Sequence, residues 1–236
     1  MKIAYDFHIH TAASPCADDY MSPNNIINMA KLNGLQVIAI TDHNTCANCE
    51  VIMKLGEEHN LLVIPGMEIE CMEEFHCIAL FPDLTAAKDI EKYIEANMPK
   101  MKNRIDIFGH QSIMNENDEV VGEIERLLLT ASAIPAADLF KQVKGVGGII
   151  YPAHIDRNSY SILSNLGFIP EELDIHTIEI SKSADRTKYQ SQYEDYIIVQ
   201  SSDAHYLQDI LETDSFLEIQ SFCIVAILEA LKSNKH

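Results

Sequence analysis

The chain has 236 residues, nearly half of them apolar, and sets 36 acidic side chains against 17 basic ones for a formal charge of −19. That apolar share can bury the core of one large domain, while no run approaches the ~20 apolar residues of a bilayer span and no apolar leader with a cleavage site opens the chain; a cytoplasmic protein with no membrane partner is expected. A polyanion would be repelled by most of such a surface, so no extended nucleic acid is expected as a partner, although carboxylates engaged with metal ions would be less negative than the count implies.

Lys2–Phe7 reads as a short strand with Asp6, His8 and His10 at its C-terminal end. Ser22-Pro23 opens a helix, with Ser22 placed as the N-cap and Pro23 in the first turn; Ile26, Ile27, Met29, Ala30 and Leu32 carry it to Gly34. Val37–Thr41 is an uninterrupted apolar run, the pattern of a strand buried on both faces, and Asp42 and His43 follow it directly. Cys46 to His59 reads as a helix, and its Cys46-x-x-Cys49 pair as a buried helix turn without redox context. The six cysteines show no disulfide-framework spacing and are expected to be reduced. Leu61–Ile64 is the next strand, Pro65-Gly66 turns into Met67–Cys71, and His76–Phe81 is another strand.

Residues 82–146 differ. They are charged, without a clear buried strand. Asp89–Asn97 and Val120–Thr130 read as helices joined by the polar segment Gly109–Asp118, and the charges of Glu116–Glu125 as a solvated face. The stretch is read as a mostly helical insertion placed to act as a lid. Gly148–Tyr151, Thr177–Ile180 and Ile197–Gln200 resume the strand pattern. Ile219 to Lys232 reads as a closing helix whose stripe of Phe222, Val225, Ala226, Leu228 and Leu231 is core, followed by a polar, frayed tail. His59, His176 and His236 read as ordinary histidines.

Alternating strands and helices imply a parallel sheet, either a barrel or doubly wound, with ligands at the C-terminal ends of the strands. His8, His10, His43, Glu68, His154, Asp203 and His205 all fall at or just past such ends. Residues two apart on a strand point the same way, so His8 with His10, and Asp203 with His205, can each address one ion. Mixed imidazole and carboxylate donors suit Mn, Fe(II) or Zn without choosing among them. Asp6 has the parity to orient a ligand histidine, and Glu70 shares the face of Glu68 in a supporting position.

The ordered motifs Asp6–His10 (DFHIH), Thr41–His43 (TDH), Pro65–Glu70 (PGMEIE), Phe75–Leu80 (FHCIAL), Pro152–His154 (PAH) and Ser202–His205 (SDAH) resemble the PHP (polymerase and histidinol phosphatase) family. The resemblance implies an α/β fold, a distorted (β/α)7 TIM-like barrel, formed here by residues 1–81 and 147–236 around the insertion. It further implies a trinuclear divalent-metal site. His8, His10, Glu68 and Asp203 would hold the first ion; Glu68 would bridge to a second held by His76 and His154; Asp18, His43 and His205 would hold the third. Counting back from Ser22-Pro23 favours Asp18, with Asp19 the alternative.

The implied activity is hydrolysis of the phosphate ester of a small phosphorylated metabolite or nucleotide by a metal-bridging hydroxide. His205, Asp42 or a metal-bound water would supply the proton to the leaving alcohol. Arg157 is the first candidate for gripping the phosphate; Lys182, Arg186 and His110 are further substrate-binding candidates. Two alternatives remain open: a PHP-type exonuclease acting on nucleic-acid ends, and a non-catalytic regulatory protein that binds metal or a ligand. Oligomeric state is not legible.

Overall fold

A computed structural model describes residues 1–232. The largest sheet has six strands in the order β10-β1-β2-β3-β4-β7: β1 Lys2–Ile9, β2 Val37–Ile40, β3 Leu62–Glu70, β4 His76–Leu80, β7 Ile149–Pro152 and β10 Phe216–Glu218. A parallel pair, β8 Thr177–Ser181 and β9 Ile197–Ser201, stands with β8 near the edge strand β7 and β9 near β1. The bridge between Ile9 and Ala204 ties the β9 end to β1. The result is a mixed α/β fold around a curled half-barrel.

The expected all-parallel sheet is corrected. Only β1–β2, β2–β3 and β8–β9 are parallel; β10–β1, β3–β4 and β4–β7 are antiparallel. The reason is local. Leu62 to Glu70 runs as one strand through Pro65-Gly66 instead of turning there, and the connection from Glu70 to His76 is too short for the crossover that a parallel return requires.

Inner and outer faces alternate as strand geometry demands. Ile3, Tyr5, Phe7, Val37, Ala39, Ile64, Ile78, Leu80 and Tyr151 share one buried cluster, while Ala4, Ile38, Ile40, Val63 and Ala79 join the larger one beneath the helices, as does Ile9 beyond the register shift of β1. The helices α1 Pro23–Leu32 and α2 Cys49–Glu58 bury Ile26, Ile27, Ile52 and Leu55 there. Ser22 sits at the N-cap of α1 but makes no capping bond; its hydroxyl is buried without a partner.

The closing helix is shorter than expected. Helix α8, Ile224–Lys232, buries Ile227, Leu228 and Leu231 in the inner cluster, whereas Phe222 and Val225 are exposed rather than core. The tail expected after it, with His236, lies outside the described residues.

Residues 82–146 begin with α3 Leu84–Asn97, capped by the Asp83 carboxylate accepting from Ala86 N at 2.9 Å. The single turn α4 Ile105–Phe108 follows. The helix expected over Val120–Thr130 is absent. Val120–Glu123 is strand β6, paired antiparallel with β5 Ser112–Met114, and α5 Ala136–Gly145 closes the segment. The β-branched Val120-Val121 favours a strand. The Asn115 side chain makes the turn, its Oδ1 accepting from Asn117 N and Glu119 N, with Asp118 left-handed at φ 61°. Ser112 N donates to Ala12 O at 2.7 Å and Asn48 bonds both Ser112 and Met114, which fixes the hairpin against the loop after β1.

The remaining helices are α6 Ile162–Leu166, capped reciprocally by Ser161 and Ser164, and α7 Arg186–Gln192.

Candidate metal centre

The strand ends converge on Glu68. It lies near the end of β3, fully buried, and its two oxygens come within 3.5 Å of five imidazoles: His76 Nδ1 at 2.7 Å, His43 Nδ1 at 3.1 Å, His154 Nε2 at 3.2 Å, His10 Nε2 at 3.3 Å and His8 Nε2 at 3.5 Å. A β-bridge between His43 and Glu68 extends the β2–β3 ladder and sets these two side by side. Asp203 arrives from beyond β9, its Oδ1 3.1 Å from both His8 Nε2 and His10 Nε2. Three groups of donor atoms are close enough to share an ion: His8, His10, Glu68 and Asp203; His43, Glu68 and His76; and His10, His43 and His205.

The surrounding bonds fix how the rings face. Glu179, in the middle of β8 and fully buried, holds His8 Nδ1 at 2.8 Å. His8 therefore donates from Nδ1 and turns the Nε2 lone pair inward. The Ser14 hydroxyl donates to Asp42 at 2.6 Å, so it accepts from His10 Nδ1 at 2.9 Å, and His10 also presents Nε2. His205 Nδ1 donates to the carbonyl of Asp203 at 2.9 Å. His8 Nε2 and His10 Nε2 are thus lone pairs facing each other at 3.1 Å.

This crowding fits divalent cations. Facing lone pairs and carboxylates repel one another unless a cation or proton lies between them. The electrostatics agree. Burial opposes protonation of His10, yet the bonded Asp203 and Glu68 carboxylates outweigh it and hold the imidazole up at about 9. Burial would raise the Glu68 carboxyl, but His76, His8 and His43 pull it well below the usual carboxylate range. Burial, then the neighbouring His10, takes His205 down to about 4. His154 and Asp203 both have left-handed backbones, at φ 29° and 52°, a strain that concentrates at functional sites.

Beside the cluster opens a cavity of about 280 Å³ lined in part by His43, Glu68, His76, His154, Asp203 and His205. Arg157 stands at its rim, 43% exposed, with Nη1 2.5 Å from Asp203 Oδ2.

Other expected site residues are not brought there. Asp18 belongs to none of the three donor groups; its carboxylate accepts from Tyr20 N, and only its backbone N–H reaches His205, at the carbonyl. Asp42 does not face the cavity. It is fully buried, and its oxygens are taken by Thr11 N, Thr11 Oγ1 and Ser14 Oγ, so it sets Ser14 and through it His10 rather than giving a proton to substrate. Lys182 is paired with Asp209 at 2.6 Å, Arg186 donates to the Ile198 carbonyl, and His110 is paired with Glu123 at 2.8 Å; none lines the cavity. Asp6 holds backbone, not a ring: it accepts from the N–H groups of His8, Ser202 and Leu211. Cys46 and Cys49 are buried, their thiols bonded to Glu91 and to the carbonyls of Ile40 and Gly66.

The sequence reading missed Glu179, Ser14, Cys16, Leu129, Ser159 and Tyr160 as neighbours of the site. Glu179 alone left a signal, as a carboxylate inside the apolar strand Thr177–Ser181.

Fold and cluster together define a metal-site α/β protein of the half-barrel type. The PHP domain family matches residues 6–148, and the chain belongs to that family. It is 35% identical over 99 residues to an uncharacterized protein of Methanocaldococcus jannaschii, an overlap of 38% of this chain and 58% of that one. It is 32% identical over 91 residues to a 5'-3' exoribonuclease of Haemophilus influenzae, covering 37% of this chain and 32% of the relative. The matches thus span little more than half of such relatives, or less.

Among solved structures, the lesion-specific endonuclease Q of Pyrococcus furiosus shares the fold at TM-score 0.70 and 17% identity, over 98% of this chain and 56% of that one. A protein of Bifidobacterium adolescentis assigned as a metal-dependent phosphoesterase gives TM-score 0.61 at 18% identity, over 89% and 92% of the two chains.

These relatives correct the expectation that no extended nucleic acid is a partner. One is an exoribonuclease, and endonuclease Q has been captured with a 27-mer duplex carrying an abasic lesion at its active site. Net charge sums the whole surface and does not set the potential at any one local rim. Among the described residues no helix is long and apolar enough to cross a membrane.

Proposed function

We propose that the chain is a metal-dependent phosphoesterase acting on the phosphate ester of a small phosphorylated metabolite or nucleotide, with its reaction centre at Glu68. The convergence of five imidazoles on that carboxylate beside an open cavity is the observation that carries this reading. His8, His10, Glu68 and Asp203 would hold one ion, Glu68 with His76 and His154 a second, and His43 with His205 a third, with Mn, Fe(II) or Zn all compatible with the donors. Bound there, divalent ions supply a nucleophile at neutral pH and offset charge developing on the phosphoryl oxygens.

The chain's own groups do the rest. Glu179 and Ser14 keep His8 and His10 in one tautomer and orientation, so the donor geometry needs no rearrangement when substrate arrives. Arg157 has guanidinium N–H groups free of Asp203 to grip a phosphate oxygen at the rim. Hydrolysis forms a bond from water oxygen to phosphorus and breaks the ester P–O bond, and the departing alcohol takes up a proton. Asp42 is held by Thr11 and Ser14 away from the cavity, so that proton would come from His205 or from solvent at the open mouth.

The test is release of phosphate from p-nitrophenyl phosphate by protein purified anaerobically and assayed for metal content. Mn-, Fe- or Zn-loaded protein should turn over and chelated protein should not; full activity in a His8→Ala, His10→Ala double variant would refute the reading. The identity to an exoribonuclease favours one second reading, a phosphoester at a nucleic-acid end. Comparing a mononucleotide with a short single-stranded oligonucleotide separates the two.

A further inference from the structure

The loop after β7 brings four groups to the cavity within seven residues: His154, Arg157, Ser159 and Tyr160. Its shape is fixed from several sides. Ser161 Oγ donates to the Arg157 carbonyl at 2.8 Å while capping α6, and Asp156 accepts from both N–H and hydroxyl of Ser181 at 2.7 and 2.6 Å. The Tyr160 carbonyl accepts from His76 N at 2.9 Å, which ties the loop to the start of β4.

Tyr160 itself is unusual in two ways. Its backbone is left-handed at φ 53°, a conformation that strains a bulky side chain. A glycine would make the same carbonyl bond without that strain, so the backbone contact does not explain a tyrosine here. Its ring stacks on His76 with centroids 4.9 Å apart and planes at 24°, yet the residue stays 52% exposed. Apart from histidines it is the one aromatic among the described residues lining the cavity. An uncovered aromatic surface therefore stands three residues from the arginine at the phosphate end.

We propose that Tyr160 stacks the base of a nucleotide whose phosphate ester lies between Arg157 and the Glu68 cluster. The substrate class is then a phosphate ester of a nucleoside rather than of a bare sugar. The carboxylates of Glu70 and Asp203 on the same walls favour an uncharged base over an acidic leaving group. This inference rests on the phosphoesterase reading above.

The discriminating pair is adenosine 5'-monophosphate and ribose 5-phosphate, the same ester with and without a base. With metal-loaded full chain, kcat/KM should favour the nucleotide by about tenfold or more through KM, the range of one base–aromatic stack. Tyr160→Ala should bring the ratio close to one by raising KM for the nucleotide alone, and Tyr160→Phe should keep it. An equal loss on both esters would show that the ring only props His76, and a wild type indifferent to the base would equally overturn the proposal. If neither ester nor p-nitrophenyl phosphate is turned over, the phosphoesterase reading fails by itself. Calorimetric binding of the same two ligands then decides Tyr160: base-dependent binding lost in Tyr160→Ala supports the stacking role, and equal binding overturns it.

Discussion

At the scale of single residues, the site is governed less by the groups facing the cavity than by those behind them. Glu179 makes no contact with the cavity, yet it sets the tautomer of His8 at 2.8 Å and also accepts from His154 N at 3.3 Å. Glu179→Ala should weaken metal binding about 10–100-fold, the usual cost of removing such a partner, and lower activity in proportion. Metal titration of the chelated protein checks this; unchanged affinity would mean that packing alone orients His8. Glu179→Gln keeps an acceptor for the ring N–H and should fall between. The motifs containing His8, His43, Glu68, His154 and Asp203 could be read from the chain because each ligand type sits at the end of an apolar run. Glu179 could not be assigned a role, because parity along a strand does not say which histidine from another strand lies opposite.

At the scale of elements, strand β3 positions Glu68 because it passes straight through Gly66. A Cβ there would lie 2.8 Å from the Ala79 carbonyl and 2.9 Å from Thr41 Cγ2, between β4 and β2. Gly66→Ala should therefore cost roughly 1–3 kcal/mol as overpacking and lower the melting temperature by several degrees. Thermal unfolding of the chelated protein measures it without interference from metal. The elements most legible in the sequence were those with long apolar runs, such as Val37–Ile40, whereas α3 was expected only from Asp89 and starts five residues earlier, at Leu84 behind the Asp83 cap. Strand β6 reads as helix in the sequence, and β5 as part of a polar connection, because the surrounding charged residues hide two short strands. The turn chemistry between them at Asn115 and Asp118 was the better signal. We propose that residues 82–146 act as a unit at the site mouth, since Leu129 lines the cavity and Asn44, beside His43, donates to the Leu128 carbonyl.

At the scale of the whole molecule, the cluster joins β1, β2, β3, β4, β7 and β9, so ions bound there act as a cross-link that the unfolded chain lacks. Chelation should lower the melting temperature. At metal near 100 times its dissociation constant the linkage is about 2.7 kcal/mol per independent site, roughly 5–10 °C for a chain of this length. Scanning calorimetry with and without chelator checks it, and identical curves would show that no ion binds the native state.

The sequence by itself determined the family, the chemical type of the site and most strands, because apolar periodicity and donor residues at strand ends are local patterns. Only the tertiary structure decided that the main sheet is mixed, that Asp42 faces away from the cavity, that Glu179 stands behind His8 and that Tyr160 lines the cavity. Each of these depends on which strand lies beside which, and therefore on contacts between residues far apart in the chain.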